Sequence, residues 1–372
     1  MKNVLNYINE ALRIKSGQKI ASRGYKYTPN TKEEFQEFVI QQIKNTTDSQ
    51  TLDLSYIDCE KLPDLKNALH FIPGVHNLSF RFPKHIVKLD ITGWNVRHIK
   101  VFEGLFAGLE YLEEIIGLDT WNMSNAENIN RMFSGCRSLK KLDLSKWKMP
   151  NLGKYSAQHN SDKIFDCIFL GCCSLEELTG YENWDLSEFV GGNWIFSHCK
   201  KLKHIDISNW NLGKSTNEPC KFYGIFEDCH SLEFVDVSNN VNKNYTSCSK
   251  VFFECNNLKT IKGLDTWDVS NVVNMNGIFG KCKSVSDLSD IQNWDIRNVA
   301  ASEGMFEDCE TLQTVGDISG WKFTKNRYMS FMFKGCKQLA CNISSWVIDK
   351  QKTKTTSIFK DVTRKIFKIA KF

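Results

Sequence analysis

The chain has 372 residues and a nearly balanced charge, with 48 lysines and arginines against 43 acidic residues and a net charge of +5. Its 41% hydrophobic and 24% charged residues are typical of a globular protein and exclude a disordered or collagen-like chain. The weak positive charge argues against a nucleic-acid-binding surface. No apolar run reaches the length of about eighteen residues that a membrane-spanning helix needs.

Residues 1–48 predict a helical leader that caps a larger array. A first helical pattern comes from Leu5, Ile8 and Leu12. A second helix is expected after Thr31, with Glu34 completing a capping box, and residues 25–29 are expected to form an extended linker. Polar residues interrupt the N-terminal apolar positions, so no signal peptide is predicted and the chain is expected to stay in the cytoplasm after synthesis.

A repeat of about 27 residues runs through most of the chain. Cysteines recur at intervals of 27 at Cys255, Cys282, Cys309 and Cys336. Tryptophans follow the same period, and Asn240 stands at the one position between Trp210 and Trp267 where a tryptophan is missing. The tryptophans are Trp94, Trp121, Trp147, Trp184, Trp210, Trp267, Trp294, Trp321 and Trp346. A fixed phenylalanine follows most of these tryptophans by twelve residues, and a cysteine follows it by three in eight units. A period between about 20 and 50 residues indicates a solenoid, a propeller or a related array.

The residues after each cysteine follow the pattern L-x-x-L-x-L of a leucine-rich repeat, as in Leu139, Leu142 and Leu144. Its alternating end predicts a short β-strand. Apolar residues at every third position between Trp and Phe predict a wide loop with 3₁₀ or helical turns. We therefore predict a leucine-rich-repeat-like solenoid. It is a right-handed stack of coils of about 26–27 residues with short parallel β-strands, a helical N-terminal segment and a C-terminal cap.

The repeated cysteines and tryptophans are interpreted as core residues. The chain has 14 cysteines but no Cys-x-x-Cys spacing, which argues against the commonest zinc and redox sites. Cysteines in register on neighbouring strands would lie about 4.8 Å apart, which is too far for the Cβ atoms of a disulfide. Metal binding by the cysteines and sugar stacking by the tryptophans are the less favoured alternatives.

The chain is expected to divide into four parts. The helical leader is followed by degenerate first repeats over residues 49–93, the regular solenoid over residues 94–348 and a basic C-terminal tail over residues 349–372. From Lys350 onward, eight lysines or arginines stand against one acidic residue, Asp361. This pattern fits either a basic amphipathic helix for an acidic partner or a membrane surface, or a C-terminal cap with a solvated basic face.

Charges beside the predicted strands alternate in sign from one unit to the next. The clearest examples are Glu113-Glu114, Lys140-Lys141 and Glu176-Glu177. In a parallel stack, each acidic pair would lie between basic pairs about one strand spacing away. This arrangement predicts a self-neutralising face, which does not suit nucleic-acid binding.

Two insertions and one extra tryptophan mark the candidate binding face. The insertions, Pro150–Asn160 and Gly213–Cys220, leave the same edge of the stack, where solenoids often bind partners. Trp194 occupies a position that otherwise holds glycine or charged residues, which predicts partial exposure, although packing under the long loop is an alternative. Neutral surface drift is the alternative for the insertions. The candidate partner-binding residues are Tyr155, His159, Trp194, Lys214 and Phe331.

No catalytic set, cofactor site or metal site is predicted. The histidines His159, His198, His204 and His230 have no metal-ligand spacing to carboxylates or to one another. The chain has no phosphate-binding glycine loop and no G-x-S-x-G motif. The Asp-containing strand ends lack the Gly-Asp density of calcium-binding repeats.

The unit from Trp121 to Leu139 resembles the repeat of the Bacteroides-surface-protein-A-like leucine-rich repeat family, of the mycoplasma-lipoprotein type with the pattern W-D-x-S-x-V…M-F-x-x-C-x-x-L. The similarity covers roughly residues 94–346. It implies a non-enzymatic scaffold for protein–protein interaction. The leader at Tyr25–Glu34 is similar to leaders in gut Bacteroidales and their phages, so the alternative is a structural or adhesive virion component that binds a host surface or a glycan.

Overall fold

The computed structural model describes residues 24–47, 49–69, 82–153, 165–189, 191–210, 220–239, 245–349 and 351–362, together with the backbone of 367–368. The first predicted helical pattern, at Leu5, Ile8 and Leu12, lies outside these residues. The chain forms two compact units, the first made of Met1–Gln158 and Cys172–Tyr181 and the second of His159–Gly171 and Glu182–Phe372. None of the described helices is both long and apolar enough to cross a membrane.

Besides three short 3₁₀-helices (Leu118–Thr120, Leu264–Thr266 and Ser289–Asn293), the described elements are one α-helix and fourteen very short strands. In chain order they are α1 (Lys32–Asn45), β1 (Thr51–Asp53), β2 (Lys88–Asp90), β3 (Glu114–Ile116), β4 (Lys141–Asp143), β5 (Phe165–Asp166), β6 (Glu177–Thr179), β7 (Gly191–Asn193), β8 (His204–Asp206), β9 (Cys220–Tyr223), β10 (Phe234–Asp236), β11 (Tyr245–Ser249), β12 (Thr260–Lys262), β13 (Cys341–Asn342) and β14 (Phe367–Lys368).

In each unit the predicted leucine-rich-repeat strands pair in parallel in short sheets, which together we call the first ladder. In the first unit the strand orders are β1-β2-β3 and β4-β6, and in the second unit the order is β8-β10-β12. The pairs are in register, so that Leu89 of β2 aligns with Leu52 of β1. Both side chains are fully buried. Each unit is therefore a stack of parallel coils of the leucine-rich-repeat type, as the repeat predicts.

A second parallel ladder runs through the segment between Trp and Phe, where the sequence analysis expects only a wide loop. In the second unit it consists of β5-β7-β9-β11. It continues through single bridges that join Ser247, Asn274, Ala301, Tyr328 and Lys354 in successive coils. These residues share no side-chain type, so nothing in the repeat pattern marks them as a strand. The expected helical turns are present beside this ladder as single turns, for example where the Val272 N–H donates to the Val269 carbonyl at 2.9 Å.

Aromatic rings stack from coil to coil inside each unit. The centroids of the Phe252 and Phe279 rings lie 5.7 Å apart with an interplanar angle of 2°. Those of Trp267 and Trp294 lie 6.4 Å apart, also at 2°. The ring of a fixed phenylalanine contributes roughly 3–5 kcal/mol to the free energy of unfolding, to judge from typical costs of truncation to alanine. The interpretation of the tryptophans as core residues is confirmed by their burial.

One tryptophan slot, at Asn240, lies outside the described residues. Two other aromatic side chains pack against the next tryptophan in the second unit. The ring of Tyr245 lies 6.2 Å from Trp267, and the ring of Phe222 lies 6.1 Å from it. Both Tyr245 and Phe222 are buried, so the core of the second unit stays aromatic where the repeat lacks its tryptophan.

The repeated cysteines form hydrogen bonds between coils. In each of the eight coils that have this cysteine, its thiol donates to the backbone carbonyl of the fixed phenylalanine in the preceding coil, at 3.0–3.2 Å. Burial raises the pKa of the Cys136 and Cys309 thiols to about 12. The thiols are therefore protonated, as donation requires. Their interpretation as core residues is confirmed.

Helix α1 packs on the first coil of the first unit. The Thr31 side chain accepts the Glu34 N–H at 3.2 Å, as predicted, but the Glu34 carboxylate accepts the N–H of Asn30 rather than that of Thr31. The ring of Phe35 is fully buried and meets Trp94 edge-on at 5.5 Å. The segment before the helix, expected to be extended, pairs with the first coil through a parallel bridge between Tyr27 and Ile57.

The described part of the basic tail forms a further coil rather than a helix. Phe359 stacks on Phe333 at 5.9 Å, in the slot of the fixed phenylalanine. Strand β14 then pairs with β13 in parallel. Of the two interpretations of the tail, the amphipathic helix is therefore wrong over residues 351–362 and 367–368, because the repeat pattern continues into them.

The alternating charges beside the first ladder form ion pairs between coils. In the first unit, Lys141 Nζ lies 2.6 Å from the Glu177 carboxylate. In the second, Lys259 Nζ lies 2.8 Å from the Glu233 carboxylate. These exposed pairs contribute at most about 1 kcal/mol each. The predicted self-neutralising face is confirmed, and its main effect is to penalise a slipped register, which would place like charges together.

Burial of the thiols predicts a simple pattern of reactivity. Of the 14 free cysteines only Cys173 is partly exposed, and the rest are buried. With Ellman's reagent at pH 8, we expect one thiol of the folded chain to react quickly and the others only in denaturant. The variant Cys173→Ser should lose the fast phase. Several fast-reacting thiols in that variant would contradict the buried cysteine columns.

Candidate functional site

One position in every described coil has a left-handed backbone. It is the position two residues before the fixed phenylalanine or its equivalent, with φ between 50° and 63°. Its occupants are Asn67, Gly104, Arg131, Cys167, Trp194, Gly224, Lys250, Gly277, Gly304, Phe331 and Ser357. Glycine and asparagine tolerate this conformation, whereas other side chains place their Cβ too close to the backbone. Six of the eleven occupants are neither glycine nor asparagine, and two of these six, Trp194 and Phe331, are aromatic. Residues held in such a conformation cluster at functional sites.

Trp194 is 36% exposed, which confirms the prediction of partial exposure. Its ring meets the ring of Tyr223 in the next coil edge-on, with centroids 4.8 Å apart. Its indole N–H donates to a carboxylate oxygen of Glu227 at 3.2 Å. The alternative is packing under the long loop, and the inserted residues 154–160 and 213–219 lie outside the described residues, so this alternative stays a prediction.

The contacts of Trp194 continue across three neighbouring coils. The Glu227 carboxylate also binds the ammonium group of Lys250 at 3.1 Å. Lys250 and Lys281 lie on the ring of Phe253, 5.1 Å and 4.8 Å from its centroid. Burial opposes the charge on Lys250, but the hydrogen bond to Glu227 and the negative charge of that carboxylate together outweigh burial and raise the lysine pKa. We call this surface the Trp194 patch; it consists of Trp194, Tyr223, Glu227, Lys250, Phe253 and Lys281.

Phe331 lies in the same column as Trp194 but not beside it. Its ring is half-buried, and Lys334 lies 5.5 Å from its centroid. Five coil steps separate the two residues, or about 24 Å at the usual strand spacing. A single small epitope therefore does not include both. The candidates Tyr155, His159 and Lys214 lie outside the described residues.

A second left-handed column, one residue before each cysteine, carries a cluster of titratable groups. Glycine occupies this position in several coils, whereas three neighbouring coils of the second unit have His198, Asp228 and Glu254 there, with φ of 60–63°. The Asp228 carboxylate accepts hydrogen bonds from His198 Nδ1, from His230 Nε2 and, at 3.1 Å, from Lys200 Nζ. Burial opposes ionisation of Asp228, but the hydrogen bonds from Lys200 and His198 outweigh it and lower the pKa of the carboxyl group. We call His198, Lys200, Asp228, His230 and Glu254 the histidine–carboxylate cluster.

The spacing of the histidines along the chain does not reveal this cluster. His198 and His230 are 32 residues apart, which fits no local metal motif, yet the fold brings both to one carboxylate. Alignment of the repeats on their cysteines shows that Asp228 and Glu254 fall in the same column as His198. The signal was therefore present, but in the register of the repeat rather than in local spacing.

A family model described as "Mycoplasma protein of unknown function, DUF285" matches residues 76–167, 157–260 and 246–372. No curated protein matches the chain.

Several solved structures are similar to the chain at low identity. A leucine-rich repeat protein from Bacteroides ovatus is 19% identical over 81% of this chain and 76% of its own, with a TM-score of 0.38. One from Eubacterium ventriosum is 15% identical over 81% and 88%, with a TM-score of 0.34. A leucine-rich repeat protein from Leptospira interrogans is 13% identical over 88% and 94%, with a TM-score of 0.24.

The left-handed backbone at Trp194 predicts an unusual order of stabilities. We expect Trp194→Gly to have a free energy of unfolding about 1 kcal/mol above that of Trp194→Ala, because glycine tolerates φ of 50° and alanine does not. The measurement is urea unfolding of both variants.

The control pair is at Val273, which is 46% exposed and absent from the positive-φ positions. There Val273→Gly should be the less stable variant, because glycine has the greater conformational freedom in the unfolded chain. The same order of stability at both sites would show that Trp194 is not strained.

Proposed function

The chain belongs to the family described as "Mycoplasma protein of unknown function, DUF285", and we propose that it is a non-enzymatic scaffold that binds a protein partner through the Trp194 patch. The observation that carries this proposal is the large aromatic ring at Trp194, which is partly exposed on a left-handed backbone. Glycine would fit this position without strain, as it does in the next coil at Gly224. A tryptophan retained at such a cost favours a role in binding, since tryptophan is enriched among interface residues that contribute most to affinity.

The charge of the Trp194 patch favours a protein over a nucleic acid as the partner. Lys250 is paired with Glu227 at 3.1 Å, and Lys281 with Glu254 at 2.5 Å. Each cation therefore already has a carboxylate partner, whereas a surface that binds phosphates needs an excess of unpaired basic groups. Aromatic rings surrounded by paired charges are typical of the centre and rim of a protein–protein interface.

The rest of the second unit supports a scaffold role. Its phenylalanines, tryptophans and cysteines are used in stacking and in hydrogen bonds between coils, and they leave a regular frame. Such a frame holds surface residues at fixed spacings, which lowers the conformational entropy lost on binding. The expected partner is a protein that places an apolar side chain against Trp194 and Tyr223.

The test compares the full chain with two matched variants. Trp194→Ala removes the proposed anchor, and Tyr328→Ala removes an aromatic side chain that is 46% exposed in the same unit but outside the patch. Each chain is immobilised and exposed to an extract of the native source. A protein is taken as a candidate partner only if the unmodified chain and Tyr328→Ala both retain it and Trp194→Ala does not.

Purified candidates are then titrated against the three chains by calorimetry. We expect Trp194→Ala to weaken binding by at least about 30-fold, or about 2 kcal/mol, as for other interface hot spots. Circular dichroism should show that all three chains are folded. Equal dissociation constants for the unmodified chain and Trp194→Ala, or binding to glycans alone, would overturn the proposal.

A further inference from the structure

We propose that Asp228, His230 and Glu254 bind a divalent transition-metal ion of the zinc class, with His198 as a positioning residue that holds Asp228. The proposal does not depend on the protein partner. It begins from the distances among the three side chains: one ligand atom from each lies within 4.8 Å of the other two.

These separations are close to those of a metal site. Zinc binds histidine nitrogen and carboxylate oxygen at about 2.0–2.2 Å, so ligand atoms around a tetrahedral ion are about 3.3 Å apart. The three ligand atoms therefore need to move by at most about 1.5 Å to reach that spacing. Side-chain rotation is sufficient for such a shift, because His230 and Glu254 are only half-buried.

The backbone that carries the cluster is fixed by hydrogen bonds between coils. The N–H of His198 donates to the Glu227 carbonyl at 2.8 Å, and the N–H of Asp228 donates to the Phe253 carbonyl at 2.8 Å. The N–H of Glu254 donates to the Gly280 carbonyl at 2.9 Å. The side chains of successive coils therefore start from adjacent, fixed points, which is the preorganisation that a metal site needs.

The left-handed column holds side chains rather than glycine at this site. Gly108, Gly135, Gly171 and Gly335 occupy the same position in other coils, whereas Lys281, Asp308 and Asp361 occupy it in three further coils. A glutamate at φ 63° is more strained than a glycine would be there, whereas aspartate and histidine are among the residues that tolerate positive φ better. The presence of Glu254 beside Asp228 is thus not explained by the backbone.

The donor set indicates which class of ion is bound. One imidazole nitrogen with two carboxylates suits zinc, nickel or cobalt, whereas calcium prefers six to eight oxygen ligands. The ion would take the Nε2 lone pair of His230. The proton on that nitrogen moves to Nδ1 when the ring is neutral and is released to solvent when the ring is an imidazolium. The Asp228 oxygen that faces His198 keeps its hydrogen bond, as in other sites where a second residue orients a ligand.

Two lysines compete with the ion. Lys281 Nζ lies 2.5 Å from a Glu254 oxygen, and Lys200 Nζ lies 3.1 Å from an Asp228 oxygen. An ion that binds Glu254 must displace Lys281 or share the carboxylate with it. Removal of Lys281 should therefore strengthen metal binding, whereas in a cluster that only forms ion pairs it would merely break one contact.

The experiment titrates the full chain with Zn²⁺ alone, by calorimetry, in a Cys173→Ser background that removes the one partly exposed thiol. Co²⁺ is titrated in parallel, and its absorption spectrum reports coordination. We expect one ion to bind per chain. His230→Gln and Glu254→Gln should each weaken binding by at least about 10-fold, and His198→Ala by about 10-fold. Lys281→Met should tighten it by at least about 3-fold, from removal of an opposing unit charge near the surface.

The control is His204→Gln, which changes an exposed histidine on strand β8 outside the cluster and should leave affinity unchanged. Circular dichroism checks the fold of every variant. The proposal is overturned by the absence of saturable Zn²⁺ binding at about 1 mM, by unchanged affinity in both His230→Gln and Glu254→Gln, or by weaker binding in Lys281→Met.

Discussion

The structure depends on the hydrogen bonds that each coil forms with the next. Backbone N–H groups on both ladders donate across the coil spacing, and the buried thiol of each repeat donates to a carbonyl of the preceding coil. Because these bonds fix neighbouring coils at one distance and one register, the same position in successive coils falls into a straight column. Stacked phenyl and indole rings, ion pairs and left-handed corners all follow from that single constraint.

The columns also explain where binding chemistry is found. Most positions that point into the core hold apolar side chains or the thiol, so they are unavailable for recognition. The left-handed positions face outward in many coils, and glycine adopts their backbone conformation with the least strain. A coil that places a tryptophan, a glutamate or a histidine there loses some stability, and both proposed sites lie at such corners in the second unit.

The sequence was sufficient for the repeat and for the side chains of the core, but not for all of the backbone. The cysteine and tryptophan periods predicted the coils because one residue type recurs at each core position. The second ladder escaped prediction because Asn274, Ala301 and Tyr328 pair only through their backbones. The histidine–carboxylate cluster escaped for a different reason: its members belong to different coils, and only their common register brings them together. Trp194 was identified as a candidate from the sequence because the same position in most other coils holds glycine or a charged residue.

The two proposed sites are connected through Lys281, which contacts both Glu254 and the ring of Phe253. An ion that takes Glu254 from Lys281 leaves the ammonium group on the aromatic surface without its carboxylate. The Trp194 patch then carries one more unpaired positive charge, and a partner with a carboxylate near Phe253 would bind more tightly. By thermodynamic linkage the partner would strengthen metal binding by the same factor. A partner that needs a neutral surface would do the opposite, so the sign of the coupling reports the charge of the segment that covers Phe253.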